Sequence, residues 1–413
     1  MAFQQGLSGL NATSKNLSII GNNIANANTY GAKASRAEFA DMYANAINGA
    51  GGSPIGIGVN LASVTQRFTQ GNITTTESGL DLAINGNGFF MLDAGNGSRV
   101  YSRNGQLQLN EAGFIVNSAG QKLLGLAQGN TNGTDPVPVR LPTGGIQPQQ
   151  TTSIEMEMNL DSRVGPPATT PFDFTDSTSY NNATSTTVYD SNGREISLAL
   201  YYVNVAPNVW DVYATANGTD FNAGAPIVDD LTMLSDGSGI DTGVSALLNS
   251  FAIPAIPLGN GNSTEPIANI DLDLTGATQY GSPFGVTNLN PDGYAYGTLI
   301  GVNIDKNGII KATYSNGESQ EAGQLLLANF RNPQGLQPLG GNGWAETYAS
   351  GNPLRTKPGE GNAGLLQSGA LEESNVDLTA ELVSMITAQR SYQANAQSIK
   401  TEDQVLQTLV NLR

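Results

Sequence analysis

The sequence predicts an α+β protein that is mainly β, with an α-helix at each end of the chain. Residues 1 to about 48 and 371–413 contain no proline and are rich in helix-forming residues. Residues 50–370 are dense in Gly, Thr, Asn and Pro, and turn dipeptides divide them into short alternating apolar runs. We therefore expect two terminal helices and a middle of β-barrel or β-sandwich type without βαβ units.

The N-terminal segment carries a heptad pattern. Its members alternate steps of three and four once one polar and one small residue are included: Phe3, Leu7, Leu10, Ser14, Leu17, Gly21 and Ile24. A narrow stripe of this kind needs another helix as its partner.

The C-terminal segment has the same spacing over roughly five heptads. The row runs through Leu378, Leu382, Met385, Gln389, Tyr392, Ala396, Ile399, Asp403, Leu406 and Val410. Asn375 or Asp377 is expected to cap the start of the helix. An ordinary amphipathic helix explains one such stripe, but two at opposite ends predict that each pairs with the other or with its copy in a neighbouring molecule. Gln389 and Asp403 either fix the register or face a lumen.

Three asparagine–glycine pairs predict tight hairpins in the middle region, because Asn-Gly readily adopts positive φ. They are Asn192-Gly193, Asn307-Gly308 and Asn316-Gly317. Alternating runs flank the first two, and the strand pattern repeats around Trp210.

Composition excludes most catalytic chemistry. Among 413 residues there is no Cys and no His, which removes thiolate nucleophiles, imidazole bases and the commonest zinc ligands. Only 13% of residues are charged, and the net charge of −17 opposes binding to nucleic acid or an anionic membrane. Residues 1–48 carry +1 and residues 371–413 carry −3, so about −15 lies between them. The start of the chain lacks the basic opening and apolar segment of a secretory signal peptide.

Local motifs give no catalytic, cofactor or metal site. Asn303, Asp305 and Asn307 match the opening of a calcium loop, but Tyr314 stands where the bidentate Glu is needed. Carboxylate pairs such as Asp229 with Asp230 are adjacent in sequence, which is weak support for a glycosidase. We therefore expect no enzyme activity and no cofactor.

The N-terminal run GLSGLNATSKNLSIIGNNIANANTYGAKASRAEF resembles the signature of the bacterial flagellar rod and hook proteins. The most specific part is Gly21-Asn22-Asn23-Ile24-Ala25-Asn26, followed by Asn28, Thr29, Gly31 and Lys33. Residues 79–125, 293–340 and 375–413 also resemble the family, so the resemblance covers roughly 60% of the chain and both its ends.

The resemblance implies a chain nested like a hairpin, with the terminal helices paired as an inner coiled coil and discontinuous domains further from a tube axis. It implies a helical domain at 1–30 plus 370–413, a connecting segment at 31–70 plus 355–369, a β-rich domain at 71–145 plus 285–354, and an inserted β domain at 146–284. The length of the chain and its inserted central domain favour a hook protein over a distal rod protein.

The implied role is a self-assembling structural subunit of the curved hook, which acts as a universal joint between rod and filament. The expected partners are further copies of the chain, the distal rod protein, the hook cap protein, the hook–filament junction protein and the flagellar type III export apparatus. The expected place is outside the cell, on the basal body. The predicted assembly residues are Leu7, Leu10, Leu17, Ile24, Asn22, Asn23, Asn26, Leu378, Leu382, Met385, Tyr392, Ile399, Leu406 and Val410.

Two alternatives stay open at this point. A distal rod subunit of the same family would build a straight tube. A secreted β-rich carbohydrate-binding or carbohydrate-active protein would fit the Gly-, Asn- and Thr-rich middle but leaves both heptad patterns unexplained.

Overall fold

The computed structural model describes residues 2–43, 56–95, 97–129, 135–142, 144–241, 248–258 and 262–411. It confirms the predicted class, because the chain is mainly β and its two long helices, one near each end, pack on each other. That the pair forms a coiled coil stays a prediction.

The helices are α1 (Ala2–Ala25) and α2 (Leu378–Asn411). The strands are β1 (Ser35–Tyr43), β2 (Gly56–Gln66), β3 (Ile73–Thr75), β4 (Leu82–Asn85), β5 (Phe89–Asp93), β6 (Arg99–Ser102), β7 (Leu107–Leu109), β8 (Ile115–Asn117), β9 (Lys122–Ala127), β10 (Val137–Pro138), β11 (Ser153–Asn159), β12 (Asn182–Tyr189), β13 (Glu195–Ala206), β14 (Val209–Ala216), β15 (Thr219–Asp220), β16 (Val228–Thr232), β17 (Leu248–Ile253), β18 (Ile267–Asp273), β19 (Gly285–Pro291), β20 (Leu299–Ile304), β21 (Ile309–Tyr314), β22 (Ser319–Leu325), β23 (Leu327–Asn329), β24 (Gln337–Gly340), β25 (Gly343–Ala345), β26 (Leu354–Thr356), β27 (Leu365–Ser368) and β28 (Ala370–Glu372).

The chain divides into two compact units. The first unit comprises Met1–Thr143, Gly301–Thr313 and Ser319–Arg413, and the second comprises Gly144–Ile300 and Tyr314–Glu318. Residues 285–300 belong to the second unit, where β19 pairs antiparallel with β11. The last strand of this unit thus pairs with its first, and the domain boundary predicted at 284 stays a prediction. The predicted division of the remaining chain into helical, connecting and middle domains stays a prediction.

The first unit contains a large sheet with the strand path β20-β21-β22-β9-β5-β6-β25-β24. Successive residues of β5 point to opposite faces of this sheet. Phe90 and Leu92 enter one apolar cluster, whereas Phe89 and Met91 enter another. The sheet thus supports a core on each face.

The second unit is a β-sandwich. One sheet has the order β17-β18-β11-β19, and the other has β12-β13-β14-β15 with β16 also paired to β14. Both sheets contribute to one apolar cluster, in which Met156, Tyr202 and Trp210 are fully buried. This architecture confirms the β-rich expectation for the insert.

The predicted hairpins form. At the turn between β12 and β13, Gly193 has φ +75°, and Gly308 has φ +79° between β20 and β21. Asp305 Oδ1 accepts hydrogen bonds from Asn307 N at 2.8 Å and Ile309 N at 3.1 Å. The residues that partly match a calcium loop are therefore used to close a turn.

Candidate assembly site

The two helices meet through small residues on α1. A Cβ atom placed on Gly6 would lie 2.9 Å from Ile399 Cγ1, and one placed on Gly9 would lie 2.9 Å from Asn395 Nδ2. Further along, Asn23 Nδ2 donates to Glu381 Oε1 at 3.1 Å. Residue numbers rise on α1 as they fall on α2, so the helices run antiparallel. The absence of side chains at positions 6 and 9 lets the helices approach closely.

The internal contact does not follow the heptad row predicted for α1. It uses Gly6, Gly9 and Asn23, and Ile20, on the same face of α1, is buried. The predicted row lies one position later, where Leu10, Leu17 and Ile24 are half-buried and Leu7 is 45% exposed. On α2, Ile399 was predicted and does contact α1, whereas Asn395, which faces Gly9, was not predicted. Helical glycines permit close packing but carry no hydrophobic signal, which explains the displaced prediction.

Many apolar side chains of the helices and of the β1–β2 hairpin are exposed. On the helices they are Phe3, Leu7, Leu378, Leu382, Val383, Ile386, Tyr392, Val405 and Leu406, and on the hairpin Phe39, Met42 and Val64. Met385 is half-buried, and the Val410 side chain lies outside the described residues. Exposed apolar groups at this density indicate an interaction surface.

The asparagines of the N-terminal motif shape the end of α1. Asn26 Nδ2 donates to the Asn22 carbonyl oxygen at 2.9 Å, within the last turn. Asn23 Nδ2 donates to the Ser35 carbonyl oxygen, and Asn23 Oδ1 accepts from Ser35 N, each at 2.9 Å. Asn23 therefore ties α1 both to the start of β1 and, through Glu381, to α2.

Two residues were predicted as candidates for the cap of α2, and Asp377 is the one that caps it. Its Oδ1 accepts from Thr379 N at 2.9 Å and from Ala380 N at 3.1 Å. The other candidate, Asn375, has a different role. Its Oδ1 accepts from Ala34 N at 2.7 Å, and its Nδ2 donates to the Arg67 carbonyl oxygen at 2.7 Å.

A buried carboxylate joins the segments that lead into both helices. Glu372 Oε1 accepts from Lys33 Nζ at 2.6 Å and from Gly71 N at 2.9 Å, and Glu372 Oε2 accepts from Arg103 Nη1 at 3.1 Å. The main-chain oxygen of Glu372 accepts from Gly31 N at 2.8 Å. We call Lys33, Arg103 and Glu372 the ionic junction, and all three side chains are almost completely buried.

The two cations of the ionic junction have other partners as well. Lys33 Nζ donates to the Thr69 carbonyl oxygen at 2.8 Å, and Arg103 Nη2 donates to the Gly86 carbonyl oxygen at 2.9 Å. The Arg103 guanidinium also lies 5.4 Å from the ring centre of Phe89. Burial lowers the pKa of Lys33 and that of Arg103, and Glu372 opposes both shifts. The carboxylate therefore offsets part of the cost of burying the two cations.

Sequence reasoning missed Glu372 and Arg103 and gave Lys33 no role beyond the resemblance. The partners of Glu372 lie 339 and 269 positions away along the chain. No periodicity or spacing relates residues this far apart. For the contact between α1 and α2, by contrast, the sequence did offer a signal. Gly6 and Gly9 lie inside a predicted helix, where each glycine lowers helix stability, and close packing against another helix can offset that loss.

Three carboxylates of the second unit, Asp211, Asp229 and Asp230, have oxygens within 4.8 Å of one another. Asp211 Oδ1 accepts from Asp230 N at 3.1 Å. Burial raises the pKa of Asp211, and the charges of Asp229 and Asp230 raise it further. Asp229 and Asp230 are exposed, and nothing at this cluster points to a bound ion. We therefore assign no metal site to it.

In the described ranges, neither helix is apolar enough along its length to cross a membrane.

Gly6→Leu is expected to force α1 and α2 apart, because the added side chain overlaps Ile399. Overpacking of this kind costs about 1–3 kcal/mol. Thermal melting followed by the helical circular dichroism signal should show an earlier loss of helix. Gly21→Ala is the matched control, since a Cβ atom there meets nothing within 4 Å. It should preserve or strengthen the helix by up to about 1 kcal/mol. An unchanged melt for Gly6→Leu would contradict the packing described here.

Glu372→Gln should destabilise the first unit by about 3–5 kcal/mol, because it leaves Lys33 and Arg103 buried without a counter-charge. Denaturant unfolding measures the loss. Glu373→Gln is the control, since the Glu373 carboxylate accepts only a long 3.4 Å bond from Asn72 Nδ2. Equal stabilities of the two variants would show that the ionic junction is dispensable.

Four protein families match successive parts of the chain. Residues 3–33 match "Flagella basal body rod protein" and residues 83–159 match "Flagellar hook protein FlgE/F/G D1 domain". Residues 159–294 match "Flagellar basal body protein FlaE D2 domain", and residues 367–412 match "Flagellar basal body rod FlgEFG protein C-terminal".

Several relatives match over their whole length. The flagellar hook protein FlgE of Salmonella typhimurium is 44% identical over 100% of both chains, and that of Escherichia coli K12 is 43% identical over the same share. The protein of the same name from Borreliella burgdorferi is 32% identical over 100% of this chain and 99% of its own. A crystal structure of Helicobacter pylori flagellar hook protein FlgE2 is similar with a TM-score of 0.49 and 14% identity, and covers 71% of this chain and 99% of that one. Because full-length relatives of this similarity carry one name, the chain belongs to the family of flagellar hook proteins.

Proposed function

We propose that the chain is the repeating subunit of a flagellar hook, a curved and flexible tube that passes motor torque from the rod to the filament. The observation that carries this proposal is the pair of terminal helices, whose apolar side chains are exposed along α2 and, at Phe3 and Leu7, near the start of α1. Full-length similarity to proteins named flagellar hook protein supports it. The role is structural, with no enzyme activity.

The charge distribution supports contacts between the helical parts of neighbouring copies. Helix α1 has one charged residue, Lys15, in 24 residues. Helix α2 has five in 34 residues: Glu381, Arg390, Lys400, Glu402 and Asp403. Identical copies that meet through such surfaces bury few like charges. The acidic middle, with about −15 of the net −17, keeps the rest of each copy solvated.

We infer a radial arrangement in which residues 1–30 and 370–413 form the inner wall of the tube and the β-rich parts lie outside. The polar outer surfaces suit a hook that changes curvature as it rotates, because weak polar and water-bridged contacts exchange at less cost than desolvated ion pairs.

The proposed partners, beyond further copies, are the distal rod protein at one end of the tube and the hook cap and hook–filament junction proteins at the other. We infer that the chain reaches the cell exterior through the flagellar type III apparatus. The absence of cysteine supports this route, since no disulfide can block threading of the unfolded chain.

The hook is favoured over the two alternatives. A rod subunit would lack the large insert, whereas residues 159–294 match a D2 domain and the full-length relatives are named hook proteins. A carbohydrate-active protein explains neither the paired helices nor these similarities.

Electron microscopy of the purified full-length chain, concentrated and seeded, tests the proposal. The chain should form curved tubes, whereas straight tubes would favour a rod subunit and persistent monomers would contradict self-assembly. Leu406→Asp should raise the critical concentration at least about 100-fold, because it buries an unpaired carboxylate at a contact. Leu406 is 50% exposed, so the variant should still fold.

Leu354→Asp is the matched control, since Leu354 lies on β26, away from the helices in sequence, and is 64% exposed. It should assemble as the parent does. Loss of tubes in both variants, or in neither, would contradict the proposal that the helices form the contact between copies.

A further inference from the structure

Helix α2 extends beyond the described part of α1. Gly6 faces Ile399, so the antiparallel register places Ala2, four residues earlier, beside about Asp403. The last two turns of α2, residues 404–411, continue past this point, a length of about 12 Å. We call them the α2 extension. Val405 and Leu406 within it are each 50% exposed.

A groove of about 590 Å³ lies elsewhere on the same unit, between α1, α2 and the β1–β2 hairpin. Helix α1 lines it with small or polar residues from Gly9 to Asn16, α2 lines it from Val383 to Asn395, and the hairpin adds Phe39 and Val59. None of the residues that line it is charged. The groove is thus an uncharged recess lined by apolar residues, such as Phe39, Val59 and Val383, and by small or neutral polar ones.

We propose that the α2 extension of one copy packs into this groove of a second copy. The inference deepens the proposed function, on which it rests, because it names the segment and the recess through which copies join.

Length and charge both fit. The stretch of α2 that lines the groove, Val383–Asn395, spans about 18 Å, so a helical segment of about 12 Å lies within it. The α2 extension, QVLQTLVN, contains no charged residue, and neither does the groove lining. Aliphatic side chains of the extension can therefore pack against the apolar residues of the groove without desolvating a charge on either side.

The arrangement also explains an open-ended polymer. The extension and the groove are different surfaces of the same chain, so their contact is head-to-tail. Contacts of this kind leave one free extension and one free groove at the ends of every assembly, and they build helical filaments when the rotation does not close. A symmetric contact between two identical patches would stop at a dimer.

Disulfide trapping tests the inference cleanly, because the chain has no cysteine of its own. One full-length preparation carries Leu406→Cys and another carries Ser391→Cys, which lines the groove. Within one chain these positions are 15 residues apart on α2, about 22 Å, so an internal disulfide is impossible. The two preparations are assembled together under reducing conditions and then oxidised.

We expect tubes, and a disulfide-linked dimer at least about 10-fold more abundant than in a control mixture of Leu406→Cys with Gln393→Cys. Gln393 is exposed at nearly the same height on α2, about 200° around the helix from Ser391, and does not line the groove. Tubes with equal cross-linking in both mixtures, or with Leu406→Cys linked mainly to itself, would overturn the inference. Either result would leave the proposed function as a hook subunit unaffected. Failure of the parent chain to form tubes would overturn both.

Discussion

The carboxylate of Glu372 is the point on which the first unit depends, because it holds together segments from both ends of the chain. It accepts bonds from Lys33, which follows α1, from Arg103 beside the large sheet, and from the main chain at Gly71. Glu372 itself ends β28, five residues before the cap of α2. Since its partners are buried cations, the junction forms only when these segments meet. The direction in which both helices leave the β-rich part of the unit is fixed at this point.

The helix pair follows from that constraint. With their origins fixed, α1 and α2 lie antiparallel, and glycines at 6 and 9 allow close approach without large side chains between them. Close approach has a second effect. The larger apolar residues, such as Leu382, Ile386 and Leu406, are not used between the helices and stay exposed. A single copy therefore leaves unsatisfied the apolar surface that further copies can cover, and this links the fold of one chain to the assembly of many.

The sequence predicted the parts of the structure that depend on neighbours in the chain. The turns at Asn192-Gly193 and Asn307-Gly308 and the Asp377 cap are local, so the residues that make them adjoin one another. The row of α1 residues predicted to face α2 lies one position away from the observed row. The observed contact uses glycines, which have no apolar side chain for a hydrophobic pattern to detect. The partners of Glu372 and the pairing of β19 with β11 join segments that are far apart in the chain, and no local sequence pattern reveals them. The heptad residues proposed as the assembly surface fall between these cases. Leu7, Leu378, Leu382, Tyr392 and Leu406 are exposed, which is consistent with contacts between copies, and the structure of one chain does not contain such contacts.

Amide hydrogen exchange, measured on the soluble chain and on assembled tubes, tests most directly that the helices carry assembly. Segments with few buried contacts exchange rapidly, and a new interface protects them. We expect residues 2–25 and 378–411 to gain protection on assembly, and the core strands β11, β13 and β14 of the sandwich to be protected equally in both states. Unchanged exchange in both helices, with new protection confined to the second unit, would contradict it.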